Sequence, residues 1–360
     1  MLDSSLIEAL RPLGLNLSLL SQLDRELEPD TELWRLAEVQ RERLGLIGAT
    51  GRCEARALPA LREALLADGE ALAVGDWLLA RRNAQGECWV QQRLTPLSQI
   101  ARRDPEGRRQ PLVSNVDLAL LVMGLDHDFN PARLDRYLVL CHAAGVPALL
   151  LLSKADLCPD VDGRVATLRA HLAQSPAAVL DIVAVDGTAA AATRARLAPW
   201  LGTGQTLVLL GSSGAGKSTL SNALCEATLQ DTGSVRADDS RGRHTTTARS
   251  LHRLPGGACI IDTPGLRGLQ LDASSAEVGA AFDDVTRLAG ACRYRNCSHG
   301  GEPGCAVRAQ LHPARLKSYQ KLQREAAREQ MTQQDRRERL ALWKARGREA
   351  AASLKAKRGE

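Results

Sequence analysis

Aromatic residues are scarce in this chain. Its 360 residues hold two Phe, three Tyr and five Trp, with only three Met. Leu, Val and Ala must therefore do most of the packing, and at 44% hydrophobic content a sizeable core forms without covalent staples. Long apolar runs are missing too. The longest candidates, LALLVMGL (118–125) and VPALLLL (146–152), fall well short of the roughly 18–20 residues of a membrane span. They have the length of buried strands. The N-terminal MLDSSLIEALRPLG is acidic and lacks an apolar leader core. A soluble, cytoplasmic monomer with no membrane partner is expected. No internal repeat is visible.

A disulfide framework is also absent. The cysteine count is nine, an odd number in a chain without a leader. Six are scattered: Cys53, Cys88, Cys141, Cys158, Cys225 and Cys259. The other three, Cys292, Cys297 and Cys305, fall within fourteen residues and call for a metal. With His299 they make the pattern C-x4-C-x-H-x5-C. Three thiolates and one imidazole suit a tetrahedral, structural Zn²⁺ with no open position. Arg293, Tyr294 and Arg295 lie inside this knuckle and are placed to touch RNA.

Charge is uneven. The formal net charge is +5, yet residues 321–360 alone hold twelve Lys/Arg against six Asp/Glu. A basic tail on a near-neutral body fits a polyanionic partner, most simply nucleic acid. A solvated charged helix is the plainer alternative.

The chain divides by texture. Residues 1–32 form an N-terminal extension with no obvious chemistry. Over 33–106, short β-like runs broken by turn residues (43–58, 68–82 and 86–94) predict a small barrel. Trp77 and Trp89 lie there, as core residues or as base-stacking platforms. The polar, turn-rich RRDPEGRRQP (102–111) reads as a linker. Across 112–272, apolar strands at 115–126, 146–157, 179–187, 205–211 and 257–262 alternate with helical stretches. That alternation predicts a mostly parallel sheet covered by helices on both faces, an α/β fold. Residues 273–325 hold the cysteine cluster, and 326–360 form a basic helical tail.

The motif with most chemistry is GSSGAGKST, Gly211–Thr219, between a strand and a helix. It fits the phosphate-loop pattern Gly-x4-Gly-Lys-[Ser/Thr]. Gly211, Ser212, Ser213, Gly214, Ala215 and Gly216 wrap backbone N–H groups around phosphates at a helix N-terminus, where the dipole favours anions. Lys217 reaches the β and γ phosphates, Ser218 offers its hydroxyl to Mg²⁺, and Thr219 completes the motif. DTPG (262–265) then follows a strand. Asp262 is placed to hold Mg²⁺ through water, and the Gly265 N–H to meet the γ-phosphate as a switch. Between them DDSRGRHTTTARS (238–250) supplies a first switch. Thr246 is the expected Mg²⁺ ligand, with Thr245 the alternative.

LLLSKAD (150–156) completes the set. Asp156 presents a carboxylate to the N1–H and amine of guanine, while the Lys154 stem lies over the base. Ser153 stands where Asn is usual. The motif precedes the phosphate loop, an order that a circularly permuted sheet produces when its old termini are joined.

The sequence of motifs SKAD, GSSGAGKST, RGRHTTT and DTPG resembles the ribosome small-subunit-dependent GTPase A family (RsgA, also called YjeQ). NVDLALLVMGLDHDFNPARLDRYL is similar to the family's text as well, and the resemblance spans roughly residues 36–325. It implies an OB-fold barrel before a circularly permuted P-loop GTPase domain and a small helical zinc domain after it. It also implies GTP/GDP and Mg²⁺ as ligands, and the 30S subunit with its 16S rRNA as partner.

Two letters depart from the family. Ser153 replaces Asn, and Asp186 lies where a Ser-Ala pair usually offers a backbone N–H to guanine. Guanine selectivity is expected to survive through Asp156, with a weaker nucleotide grip. A Ras-like catalytic Gln is also missing: Leu266 occupies that place. Intrinsic hydrolysis is therefore expected to be slow, on the order of 10⁻⁴ to 10⁻² s⁻¹. His244 in the first switch is the candidate catalytic residue. The functional expectation is a GTPase acting in late maturation of the small subunit, with ribosome-stimulated turnover. The alternatives are a nucleotide-gated RNA-binding module and an unrelated P-loop ATPase.

Overall fold

The computed structural model describes residues 4–23, 30–104, 107–172, 179–226, 249–263 and 270–329. Five strands come first: β1 (Thr31–Gln40), β2 (Arg43–Gly48), β3 (Gly51–Ala57), β4 (Trp77–Arg82) and β5 (Cys88–Arg93). They run in the order β1-β2-β3-β5-β4, and β1 pairs back onto β4. Closure of this kind removes every sheet edge. Alternate residues point inward, so Trp34, Leu36, Leu46, Leu78 and Val90 fill the barrel. Trp77 is fully buried in the neighbouring core, whereas Trp89 is half-buried with its Nε1 donating to Glu87 at 3.3 Å.

The stretch read as a linker is part of a hairpin, β6 (Gln99–Arg103) and β7 (Arg109–Ser114). Its arginines look like loop charges in a local window. They are neutralised from far along the chain: Arg103 and Arg109 both bond the Asp272 carboxylate, at 2.9 and 3.0 Å.

Six strands form the second sheet: β8 (Leu118–Gly124), β9 (Ala148–Ser153), β10 (Ile182–Ala184), β11 (Thr206–Gly211), β12 (Ser250–Arg253) and β13 (Cys259–Asp262). Their order is β10-β9-β8-β11-β13-β12, with β12 antiparallel to β13 and the other pairs parallel. All but the edge strand β12 are mostly apolar because both faces are covered. Leu121, Leu150 and Val208 face the helices Pro131–Ala143 and Val161–Leu172; Leu120, Leu149 and Leu209 face Ala190–Leu197 and Lys217–Cys225. A short β14 (Gln270–Leu271) pairs with β6 and leads into the C-terminal helices.

Barrel and sheet are continuous, since β1 pairs with β12 at Glu38↔Ser250. Arg35 fixes the same junction. It is fully buried on β1, and its guanidinium donates to Leu13 O, to Thr206 Oγ1 at 2.8 Å and to Asn115 O at 2.9 Å. Desolvation lowers its pKa. The N-terminal extension packs into this junction through buried Leu10, Leu13, Leu15 and Leu19.

The C-terminal unit comprises the helices Ser275–Ala281, Asp283–Ala289, Ala306–Gln310 and Pro313–Glu329. It is attached by apolar packing, with Val278, Phe282, Leu316 and Leu322 in one core with Leu134 and Tyr137, and by buried ion pairs. Arg315, buried over the Phe282 ring, donates to Asp135 at 2.6 Å and to Asp284 at 2.9 Å. Asp135 also meets His171 Nε2 at 3.0 Å. Arg136 pairs with Glu325, which accepts from the Leu271 N–H at 3.0 Å.

Candidate nucleotide site and metal centre

Strand β11 is buried along its whole length and ends in the phosphate loop. Its parallel neighbours β8 and β13 set that loop at the carboxyl edge of the sheet, where ligands of such folds bind. Gly214 and Gly216 take φ of 83° and 88°. In this left-handed region only glycine is comfortable, and it lets successive N–H groups turn toward an anion. At Gly211 a Cβ would lie 2.4 Å from the Val122 carbonyl oxygen, so the strand backbones approach too closely for any side chain.

Lys217 opens the helix behind the loop and is buried. Its ammonium donates to the Ser212 carbonyl at 2.7 Å and to Gly211 at 3.0 Å. Burial pushes its pKa down to about 8, opposed by the charges of Asp262 and Asp128. Ala215 is buried beneath the loop, Gly214 is exposed at its tip, and Ser213, Ser218 and Thr219 are half-buried along its rim. Asp262 ends β13, buried, and its charge acts on the same lysine. Thr263 donates to Leu209 O at 2.6 Å, locking that strand end beneath the loop.

The base-reading segment meets the loop from the side. Ser153 is buried, and its hydroxyl donates to Ala215 O at 2.6 Å. The shorter side chain thus braces the phosphate loop directly. Lys154 adopts a left-handed φ of 60°, a conformation of the kind held at functional sites by surrounding contacts. Asp156 is exposed in the turn Ala155–Leu157, open to a ligand. The Asp186 carboxylate accepts from the Thr188 N–H at 2.8 Å and its hydroxyl at 2.6 Å, which lowers its pKa. That charge is therefore occupied within its own turn. His244, Thr245, Thr246, Gly265 and Leu266 lie outside the described residues.

Two residues near the phosphate loop were invisible to motif reading. Asp128 accepts from Ser212 Oγ at 2.6 Å and from Arg133, and Asp126 accepts from Lys154 Nζ at 2.7 Å. The only signal was two acidic residues just after an apolar strand, in LDHD.

The second site forms where the sequence places it. The ligand atoms of Cys292, Cys297, His299 and Cys305 all lie within 4.8 Å of one another. His299 Nδ1 is 3.4 Å from Cys305 Sγ and 3.8 Å from Cys292 Sγ, and those two sulfurs are 4.0 Å apart. A tetrahedral ion with metal–sulfur bonds of about 2.3 Å sets its ligands roughly 3.5–4 Å apart. Backbone N–H groups of Val307 and Ala306 also hold the Cys292 thiol below its usual range, favouring the thiolate a metal needs. Donor set and spacing fit Zn²⁺.

Comparison with known proteins agrees with this geometry. Residues 94–272 match the RsgA GTPase family model. The small ribosomal subunit biogenesis GTPase RsgA of Xylella fastidiosa is 46% identical over 276 residues, covering 74% of this chain and 77% of that one. The fold resembles YjeQ from Thermotoga maritima, with a TM-score of 0.59 at 21% identity over 82% of this chain and 99% of that one. It also resembles YloQ, a circularly permuted GTPase, with a TM-score of 0.55 at 21% identity over 86% and 100%. A base-reading loop that precedes its phosphate loop on one permuted sheet, between a closed barrel and a Cys₃His unit, places this chain in the RsgA GTPase family.

Proposed function

We propose that the chain is a small ribosomal subunit biogenesis GTPase that hydrolyses GTP on the 30S subunit during its late maturation, with turnover stimulated by the subunit. One observation carries the reading: Ser153, Lys217 and Asp262 converge on a single phosphate loop. The RsgA name of its Xylella relative supports the partner.

In this reading Gly211–Thr219 cradle the phosphates, and Asp156 with Lys154 reads guanine. Lys217 leaves the loop carbonyls for the β and γ phosphates, exchanging neutral acceptors for charged ones. Ser218 and Thr246, with Asp262 through water, would hold Mg²⁺, which neutralises charge on the transferring group. Gly265 would sense the γ-phosphate, and His244 would orient the attacking water. Cys292, Cys297, His299 and Cys305 would hold one structural Zn²⁺ whose binding stabilises the unit of residues 273–325. The barrel, zinc unit and basic tail together would face 16S rRNA. The protein would act as a cytoplasmic monomer.

GTP and ATP hydrolysis with and without purified 30S subunits tests the proposal. The expected result is GTP-selective turnover that rises strongly with 30S. Nucleotide binding without turnover would instead support a nucleotide-gated RNA-binding module. Equal ATP turnover would overturn the guanine reading. Replacing His244 with Ala is expected to abolish the stimulated turnover and spare GTP binding.

A further inference from the structure

The loop from Leu125 to Asn130 connects β8 to the helix Pro131–Ala143 and carries none of the family's nucleotide motifs. It nevertheless touches both halves of the nucleotide site. On one side the Leu125 N–H donates to Ser153 O at 3.0 Å, and the Asp126 carboxylate accepts from Lys154 Nζ at 2.7 Å. These contacts grip the base-reading segment where Lys154 is held at positive φ. On the other side the Asp128 carboxylate accepts from Ser212 Oγ at 2.6 Å, inside the phosphate loop.

The two carboxylates are tied to each other. The Asp128 N–H donates to Asp126 Oδ1 at 3.0 Å, and the Gly124 N–H donates to Asp128 Oδ2 at 3.3 Å. A Cβ at Gly124 would lie 2.5 Å from Asp126 Oδ1, so a side chain there would push the Asp126 carboxylate out of this arrangement. Arg133 bonds Asp128 from the following helix and offsets a negative charge beside a phosphate site. His127, between the two aspartates, is 89% exposed, and its Nδ1 lies 3.3 Å from Asp126 Oδ2, the oxygen that also accepts from Lys154.

We propose that this loop is a positioning element of the nucleotide site, in which Asp126 sets Lys154 over the base and Asp128 sets Ser212 in the phosphate loop, so that the two grips form and relax together. The inference rests on the nucleotide-site reading above. It adds a mechanical link between base recognition and phosphate binding that runs through the loop after β8 rather than through the ligand. Asp126 and Asp128 act through Lys154 and Ser212 and need not touch the nucleotide.

The test is a double-mutant cycle on the full chain, read by equilibrium binding and release of a fluorescent GDP. Asp126→Asn and Asp128→Asn are each expected to raise the GDP Kd about fivefold to tenfold, the scale of one charge-assisted hydrogen bond. Each should speed GDP release by a similar factor while the protein melts where the wild type melts. The double variant should lose little more than either single one, because removing one anchor already frees the loop. If Asp128→Asn does not fold, Ser212→Ala removes the same contact and leaves the Arg133 pair intact. Either single variant binding GDP as the wild type does, or two effects that multiply, would overturn the link. A wild-type chain that binds no GDP would instead overturn the nucleotide-site reading itself, and the link with it.

Discussion

The barrel and the zinc unit are joined to the GTPase sheet by different chemistry. The barrel junction is one backbone pair of β1 on β12, Glu38↔Ser250, locked by one buried guanidinium on neutral oxygens. Arg35 has no carboxylate to exchange, and its acceptors come from four separate stretches of chain, around Leu13, Gly75, Asn115 and Thr206. The zinc-unit junction adds ion pairs to apolar packing: Arg315 with Asp135 and Asp284, and Arg136 with Glu325. Glu325 also holds the Leu271 N–H on β14, the first described strand after the DTPG switch. Ladder hydrogen bonds and a buried guanidinium favour one geometry. Ion pairs beside a switch are readily exchanged. On this contrast we expect the barrel to move with the phosphate-loop strand, and the zinc unit to be the part that nucleotide state repositions.

Several changes break or sharpen that contrast. Metal removal has the largest expected effect. Chelation, or Cys297→Ser, should remove about 10 kcal/mol or more of apparent stabilisation from residues 273–325. Amide exchange would show that unit open while β8–β11 stay protected; equal loss of protection in both would sink the contrast. Arg35→Met comes next. It strands buried acceptors at about 1–3 kcal/mol each and should cost about 4 kcal/mol, with barrel and sheet losing cooperativity together in one thermal transition. Asp135→Ala leaves the buried Arg315 and His171 each with one partner fewer and should cost about 3 kcal/mol, felt in the zinc unit and in the helix Pro131–Ala143 it packs on. Glu325→Gln is milder, about 1 kcal/mol, read as faster exchange of the Leu271 amide.

A pH dependence follows from Lys217. Its pKa in the empty site is pushed down to about 8 by burial, and a bound phosphate raises it again. Below pH 8 the ammonium is charged before and after binding, so affinity is flat. Above pH 8 binding must take up a proton. GDP affinity should then fall by about tenfold per pH unit until the bound-state pKa is reached. Lys217→Arg, charged throughout, should remove the slope.

Much of this was legible in the sequence, and the limits have physical causes. Gly211–Thr219 and the Cys₃His set could be read because each needs a fixed spacing along a short piece of chain. The permutation was legible because β-strand runs and motif order are both local. Arg35 was not, since a charge inside LWRLA (33–37) breaks an apolar pattern without saying what it bonds. The hairpin at 99–114 was missed because two of its arginines, Arg103 and Arg109, are answered by Asp272, far along the chain. Ser153 reads as a lost amide in sequence, yet its hydroxyl reaches Ala215 O at 2.6 Å. Asp126 and Asp128 lie next to the motif they serve only once β8 and β9 are paired.

The most direct measurement is a pair of distance distributions in the full chain, with labels that do not use cysteine at Glu63, His142 and Lys317. These sites are exposed on the barrel, the GTPase helix and the zinc unit. Between the GDP and GTP-analogue states the account predicts an unchanged distance from Glu63 to His142 and a shifted distance from Lys317 to His142. A barrel distance that moves while the zinc-unit distance stays fixed would contradict it.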